Sequence, residues 1–596
     1  MKRFLALLLV LCLVLPLAAC GGTTETTEAT EATEATETTE TTEETTLLED
    51  IVNAVTVQDG ETYDFASHLP LTTNGETITI GLIVDANTTD YKDNAFTKWV
   101  EEQTGVNLEF MQFTGKSSDA ATQLSLMMAS GEKLPDIILR FTGVSKTQGA
   151  EFGRDGYFKD LSAYFADPEM NYYRRWRLND SLKGDYNEHN RMLMIREMDT
   201  ETGAMYAYPR MEDSIEDRPR SHVAINKLWL EKLGLEEPRT IEELRTVLEA
   251  FRDQDPNGNG VADEIPLTGK ASGGFRDVIS WIINAFVYVH DGYYYNVTDG
   301  QVWAPYTTDE YRQALIYIRE MVDDGLIIPQ TWTMETSELK SLINPIEGEP
   351  YKAGIITANV YADIQPGSPA MGDYATMHPL KDATGKGGYG PRDYVSMEYN
   401  TFITEDCENP ELAFKLLDFF CSPESQIRAR WGEEGIDWEM AEPGKTGNLG
   451  GEAVYKILAD DPQTYANNKT WHNYMGITSS MYSQKEIDLS NPDDFLTQRY
   501  VRDSTIIQYY DEAGQPEELF NFGIYTTEEN DFRDEFVGDL TTYIKNARAE
   551  FCTGNSGIDP RNDADWNKYL SDLESLRLAD WIASGQTAYD RVANAE

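Results

Sequence analysis

Residues 77–113 read TITIGLIVDANTTDYKDNAFTKWVEEQTGVNLEFMQF, and this stretch decides the fold class. Ile78, Ile80, Leu82 and Val84 occupy alternate positions, the period of a strand with one apolar face. Phe96, Trp99 and Val100 then recur at helical spacing, and the predicted helix stops near Gly105. VNLEFMQF at 106–113 and PDIILRF at 135–141 read as two further strands. Strand and helix signals in alternation imply parallel strands joined by crossover helices, so the fold class is α/β.

The same grammar returns downstream. Pro238 leads into Thr240, a predicted N-cap with Glu243 three residues on, and Ile241, Leu244, Val247, Leu248 and Phe251 form an apolar stripe. A second amphipathic helix is predicted over Asp309–Asp324, with Tyr311, Leu315, Ile318 and Val322 inward and Gly325 as its stop. Both stripes read as core. No internal repeat of 20–50 residues is present.

The N-terminus carries a different kind of signal. Lys2 and Arg3 precede an apolar run from Phe4 to Leu17, as in a secretory leader, and Pro16 and the short run argue against a spanning helix. The junction Leu17-Ala18-Ala19-Cys20, followed by Gly21 and Gly22, resembles the lipobox of bacterial lipoproteins. That resemblance makes 1–19 the signal peptide and Cys20 the lipidated first residue, on the extracellular face of the cytoplasmic membrane. Residues 23–46 are almost wholly Thr and Glu, so 20–46 is expected to be a disordered, self-repelling tether.

Composition bounds the body. An 11% aromatic and 40% hydrophobic content is enough for sizeable cores in two or more domains. The net charge of −54 far exceeds what the tether supplies, and such a surface repels nucleic acid. Outside the leader and Cys20, only Cys407, Cys421 and Cys552 remain. Cys407 and Cys421 flank a predicted helix that separates them beyond bridging distance, so no disulfide framework is expected. No CxxC, HxH or HExxH spacing occurs, which argues against a zinc enzyme.

The sharpest motif is DQDPNGNGVADE at 253–264, where oxygen-bearing side chains alternate and glycines permit a tight turn, as a hard cation such as Ca²⁺ requires. One register begins at Asp253, with Asp255, Asn257, the Asn259 carbonyl and Glu264 as ligands. The other begins at Asp255, with Asn257, Asn259, the Val261 carbonyl, Asp263 and Glu264. Asp255, Asn257 and Glu264 serve by side chain in both. Either way the ion, placed in a loop beyond a capped helix, is structural.

The segment HVAINKLWLEKLGLEEPRTIEELRTVLEAFRDQDPNGNGVADEIPL at 222–267 resembles the large solute-binding lipoproteins of carbohydrate ABC importers, in particular the subgroup taking complex oligosaccharides. GAMYAYP at 203–209, NPELAFKLLDFFCSPES from 409, RWGEEGIDW from 430, FCTGNSGI and QTAYDR extend the resemblance over most of 75–591. The turn Asn226-Lys227-Leu228-Trp229-Leu230 lacks an Asp that relatives carry, and YYYNVTDGQVWAP is an insertion particular to this chain. The resemblance implies a two-lobe periplasmic-binding-protein-like (type II) fold with an interlobe ligand cleft. Residues 75–215 plus 395–440 would form the first lobe and 216–394 plus 441–596 the second. It also implies the second calcium register, an oligosaccharide ligand, permease subunits as partners and a monomeric state.

A saccharide site needs flat apolar faces and planar polar groups. Trp281, Tyr293, Tyr294, Tyr295, Trp303 and Trp431 are aromatic candidates, and the resemblance favours Trp438 and Glu434 beside the cleft. Asp85 and Asn87 after the first strand, and Arg140 after PDIIL, stand where open α/β sheets bind ligands. Arg174, Arg175 and Arg177 beside Trp176 could bind a uronate, but read more simply as a solvated face. GKGGYG at 385–390 follows no strand and precedes Pro391, so it reads as a loop. Ser337-Glu338-Leu339-Lys340 with Lys445-Thr446-Gly447 lacks the third element of an acyl-transfer site. The alternatives to transport are a cell-surface glycoside hydrolase, needing two paired carboxylates, and a sensory or adhesive glycan-binding lipoprotein.

Overall fold

The computed structural model describes residues 47, 49–56, 62–181, 198–212, 221–271, 274–290, 295–346, 348–359, 363–391, 396–462, 465–471, 486–491, 495–520 and 525–593. The leader, Cys20 and the tether, like Tyr293 and Tyr294, lie outside the described residues. Leu47–Glu596 form one compact unit, and no helix among the described residues is long and apolar enough to cross a membrane.

Two four-stranded sheets organise that unit. The first has the order β12-β3-β1-β2, built from β1 (Thr77–Ile83), β2 (Asn107–Phe113), β3 (Ile137–Ile138) and β12 (Phe402–Ile403). The strand β1 runs parallel to β2 and β3, with the helix Ala95–Thr104 as the crossover, as the alternation requires. Ile78, Ile80 and Leu82 are buried as expected. Val84 is not, because β1 ends at Ile83 and the chain leaves the sheet, exposing Val84 by 41%.

The second sheet has the order β10-β5-β9-β6, from β5 (Val223–Asn226), β6 (Ile265–Thr268), β9 (Ala353–Thr357) and β10 (Tyr374–Thr376). The helix Ile241–Asp253 packs on it through all five predicted stripe residues, and its start is closed by the reciprocal Thr240–Glu243 capping box. Contact is close enough that a Cβ on Gly354 of β9 would stand 2.3 Å from the Phe251 ring, so only glycine fits there. The helix Asp309–Asp323 and the C-terminal helices Val537–Thr553, Asp563–Ser575 and Leu578–Ala593 complete this core.

Between the sheets lies a short ribbon. The strand β4 (Arg210–Glu212) leaves the first sheet toward β5, β11 (Ser396–Glu398) returns from the second toward β12, and the two pair antiparallel. Each feeds a strand that enters the opposite sheet antiparallel to its neighbour. These are crossing segments of the kind implied by the resemblance.

Two boundaries and one surface reading differ from expectation. The chain before residue 75 joins the first core, with Ile51 and Val55 fully buried and Phe65 stacked on Tyr173. Residues 441–471, assigned to the second lobe, pack on the first: Thr88 bridges Asn467, and Trp471 inserts among Phe96, Phe110 and Phe420 while its Nε1 donates to Thr97 Oγ1 at 2.8 Å. The arginine cluster is not a solvated face either. Arg174 and Arg177 are 1% exposed, and Arg174 lies over the Phe165 and Tyr208 rings with Nη1 donating to Pro209 O. A helix with three charged residues per turn looks exposed in sequence until its tertiary partners are known.

Because Trp471 is fully buried in the first core, Trp471→Ala is expected to cost about 3–5 kcal/mol in urea unfolding. A cost near that of a surface substitution would detach 441–471 from the first lobe.

Candidate functional site

The C-terminal ends of β1 and β3 carry polar groups. After β1, Asn87 N donates to the Asp85 carboxylate at 2.7 Å, an Asx turn, and Asp85 N donates to Tyr91 OH at 3.3 Å. Asn87 O accepts from Asn467 N at 2.8 Å, and the Asn467 amide donates to Pro462 O and Tyr465 O. The loop bearing Tyr465 is thereby pinned beside the end of β1.

After β3, Arg140 adopts φ 49°, a left-handed conformation rare for a long side chain. Its N–H donates to Thr401 Oγ1 at 3.1 Å, and Phe141 N donates to Asn400 O at 2.7 Å, so the return segment from β11 imposes the turn. Arg140 is thus brought to the crossing ribbon. Glu398 Oε2 lies 3.1 Å from Arg210 Nη1 and 3.8 Å from Arg140 Nη2, and accepts from Asn400 Nδ2 at 3.1 Å. Burial works against the Glu398 charge, but the two guanidinium groups and Asn400 outweigh it and hold the carboxyl below its usual range.

A cavity of about 510 Å³ opens where the second sheet's connection meets the module that follows the first, which is within the size range of small-molecule sites. Pro366, on the connection from β9 to β10, lines it together with Leu458, Asp461, Tyr465, Arg499 and Tyr500. Arg430 grips Asp461 through two hydrogen bonds of 2.6 and 2.8 Å, and Arg499 adds a contact at 3.5 Å. Such a buried network fixes its members in one geometry. Tyr465, 39% exposed, offers a flat ring at the mouth.

The aromatic candidates fare differently. Trp281 lies in the helix Val278–Ile283 and Tyr295 between Phe520 and Trp581, its hydroxyl donating to Trp581 O at 2.9 Å; both are core residues, which corrects their reading as ligand contacts. Trp303 sits in β8 (Gln301–Trp303), paired with β7 (Asn296–Thr298), and its Nε1 donates to Thr298 Oγ1 at 3.1 Å. Trp438 is buried against Tyr455 with Nε1 donating to Gly432 O at 3.0 Å, and Trp431 Nε1 donates to Tyr455 OH. Trp431 and Trp438 share the small core to which the cavity-lining Tyr500 belongs. Glu434 is on the surface, 3.2 Å from Arg428. Sequence reasoning missed Tyr465, Asp461, Arg499 and the Arg210–Glu398 pair, which no local pattern marks.

The loop 253–264 folds on itself. Asp255, at φ 46°, accepts from Gly258 N at 2.9 Å and Gly260 N at 3.1 Å, and both glycines hold φ 75°. The Asn257 and Asn259 amides donate to Asp263 Oδ1 at 3.1 and 2.9 Å; with Lys352 they hold the Asp263 carboxyl below its usual range. Glu264 Oε1 is buried without a hydrogen-bond partner, the orphaned acceptor a cation would satisfy. Among the described residues no three His, Cys, Asp or Glu side chains form a metal-holding group. The donor set is instead mixed carboxylate, amide and carbonyl oxygen, which suits Ca²⁺ and not a transition metal.

With this geometry in view, comparison with known proteins places the chain. A model described as "Bacterial extracellular solute-binding protein" matches residues 85–427. The fructooligosaccharide ABC transporter substrate-binding protein FusA of Streptococcus pneumoniae is 25% identical over 513 residues, 83% of this chain and 86% of FusA. Its structure with kestose covers 87% of this chain and all of that one at TM-score 0.65 and 23% identity; another FusA structure is described as an EF-hand mutant in complex with fructo-nystose. An HMO-binding, ABC-transporter-associated protein from Bifidobacterium longum infantis covers 87% of this chain and 99% of its own at TM-score 0.68 and 19% identity. These structures share the α/β periplasmic-binding-protein fold.

Glu398→Gln is expected to destabilise the protein by about 1–3 kcal/mol at pH 7, because two guanidinium groups then face a neutral amide. The folded carboxyl titrates below its unfolded value, so its contribution is complete above the unfolded pKa of about 4.3 and is lost as pH falls through the lower folded value. Thermal unfolding from pH 3 to 7 should show the gap between parent and variant closing at the acid end. A constant gap would contradict this assignment.

Proposed function

Because the chain belongs to the bacterial extracellular solute-binding protein family, we propose that it captures an oligosaccharide between its lobes and delivers it to an ABC permease. The observation that carries this reading is the cavity lined by Pro366 from the connection between β9 and β10 and by Asp461 and Tyr465 from the segment packed on the first sheet's core. An aromatic face with paired charges behind it suits a saccharide ring, which presents C–H groups on its faces and hydroxyls at its edge. Asp85, Asn87 and Arg140, at the ends of β1 and β3, are the proposed hydroxyl partners. FusA and the bifidobacterial protein, described as binding kestose and HMO, support an oligosaccharide in place of a single sugar.

The mechanism is a binding equilibrium and involves no bond chemistry. Ligand touching both lobes favours the arrangement in which they close, and rotation about β4 and β11 accommodates the closure. A lipid on Cys20 would hold the chain at the membrane, with the Thr/Glu segment giving reach to the permease. Ca²⁺ in the loop 253–264, held by Asp255, Asn257, Asn259, the Val261 carbonyl, Asp263 and Glu264, would brace the second lobe without touching ligand.

Isothermal titration with fructo-oligosaccharides and human milk oligosaccharides should give binding with unaltered sugar recovered. Tyr465→Ala should weaken it about tenfold, or ~1.4 kcal/mol. Parent-like affinity in that variant would move the site elsewhere, and hydrolysed sugar would make the protein an enzyme. Chelation with EGTA should lower the melting temperature, since a cation at a hundred times its Kd contributes about 2.7 kcal/mol. An unchanged melting temperature would show that the loop closes without metal.

A further inference from the structure

Two lysines address the loop 253–264, and they do so differently. Lys232, on the helix Lys227–Leu233, donates its ammonium to Asp255 O and Pro256 O at 3.0 Å each, holding main-chain carbonyls at the loop entrance. Lys352 instead places Nζ 3.2 Å from Asp263 Oδ2, a side-chain oxygen of the donor set. Its position is fixed by the sheet, since Lys352 O accepts from Ile265 N at 2.7 Å at the start of β6. The other Asp263 oxygen takes the Asn257 and Asn259 amides, so these three side chains and Lys352 form one closed cluster.

We propose that Lys352 is a built-in competitor for the loop's cation: its ammonium balances Asp263 when calcium is scarce, and calcium binds by displacing it. This rests on the calcium reading of the loop. An ammonium and a divalent cation cannot both sit against one carboxylate without mutual repulsion, so the lysine stabilises the metal-free loop and lowers calcium affinity by the same interaction. With its side chain 51% exposed, Lys352 can swing into water once displaced. The competition therefore tunes the site to calcium-rich surroundings without altering a ligand. Lys232 has no such role, because its partners are main-chain carbonyls that neither register uses as ligands.

The test is calcium titration of the intact chain against a fluorescent chelator, alongside melting curves with EGTA and with Ca²⁺. Lys352→Met should bind calcium about tenfold tighter than the parent and melt lower in EGTA, a crossed pattern that simple loss of packing does not give. Lys352→Arg should retain parent-like affinity, Lys232→Met should not tighten binding, and high salt should shrink the Lys352→Met gain. Calcium binding by the parent with equal or weaker binding by Lys352→Met overturns the competition alone. Absence of calcium binding in parent and variants alike overturns the calcium reading and the competition with it.

Discussion

The antiparallel pairing of β4 with β11 ties together the two chain segments that run between the sheets. Three residues on each strand carry the chain out of one sheet and back from the other. Glu398 on β11 holds Arg210 on β4 and, through the strained turn at Arg140, the end of β3 in the first sheet. A charge cluster of this kind contributes specificity of geometry more than net stability, since burial of its members opposes their attraction. It ties strand-end groups to the element about which the lobes would turn.

The cavity and the acidic surface follow separate rules. The chain's net charge of −54 makes its surface repel polyanions, whereas the cavity is organised by buried pairs such as Arg430 with Asp461. Pairing leaves the wall polar but locally balanced, which is compatible with a neutral polyhydroxyl ligand. The loop 253–264 lies outside this system and acts on the helix Ile241–Asp253 and strand β6 that it joins.

Much of the fold was legible because its signals are local. The helix Ile241–Asp253 announced itself by its stripe and capping box, and β1 by its alternation. The site was less legible because it depends on contacts between distant residues. Nothing in the sequence distinguishes Tyr295, packed on Trp581, from Tyr465, open at the cavity, since both are tyrosines in polar surroundings. Trp471 was placed in the wrong lobe for the same reason: the bridge from Thr88 to Asn467 spans most of the chain. Asp85, Asn87 and Arg140 do follow the ends of β1 and β3, as expected, because the position of a strand end is a local property that does not depend on what lies opposite.

Closure of the lobes on an oligosaccharide is read out by the distance between spin labels on Leu126→Cys in the first lobe and Ile346→Cys in the second. Both positions are exposed, while Cys407, Cys421 and Cys552 are buried. Saturating fructo-oligosaccharide should shift the distance distribution as the lobes close, and washing the sugar out should reverse it. Calorimetric binding with an unchanged distribution would contradict closure.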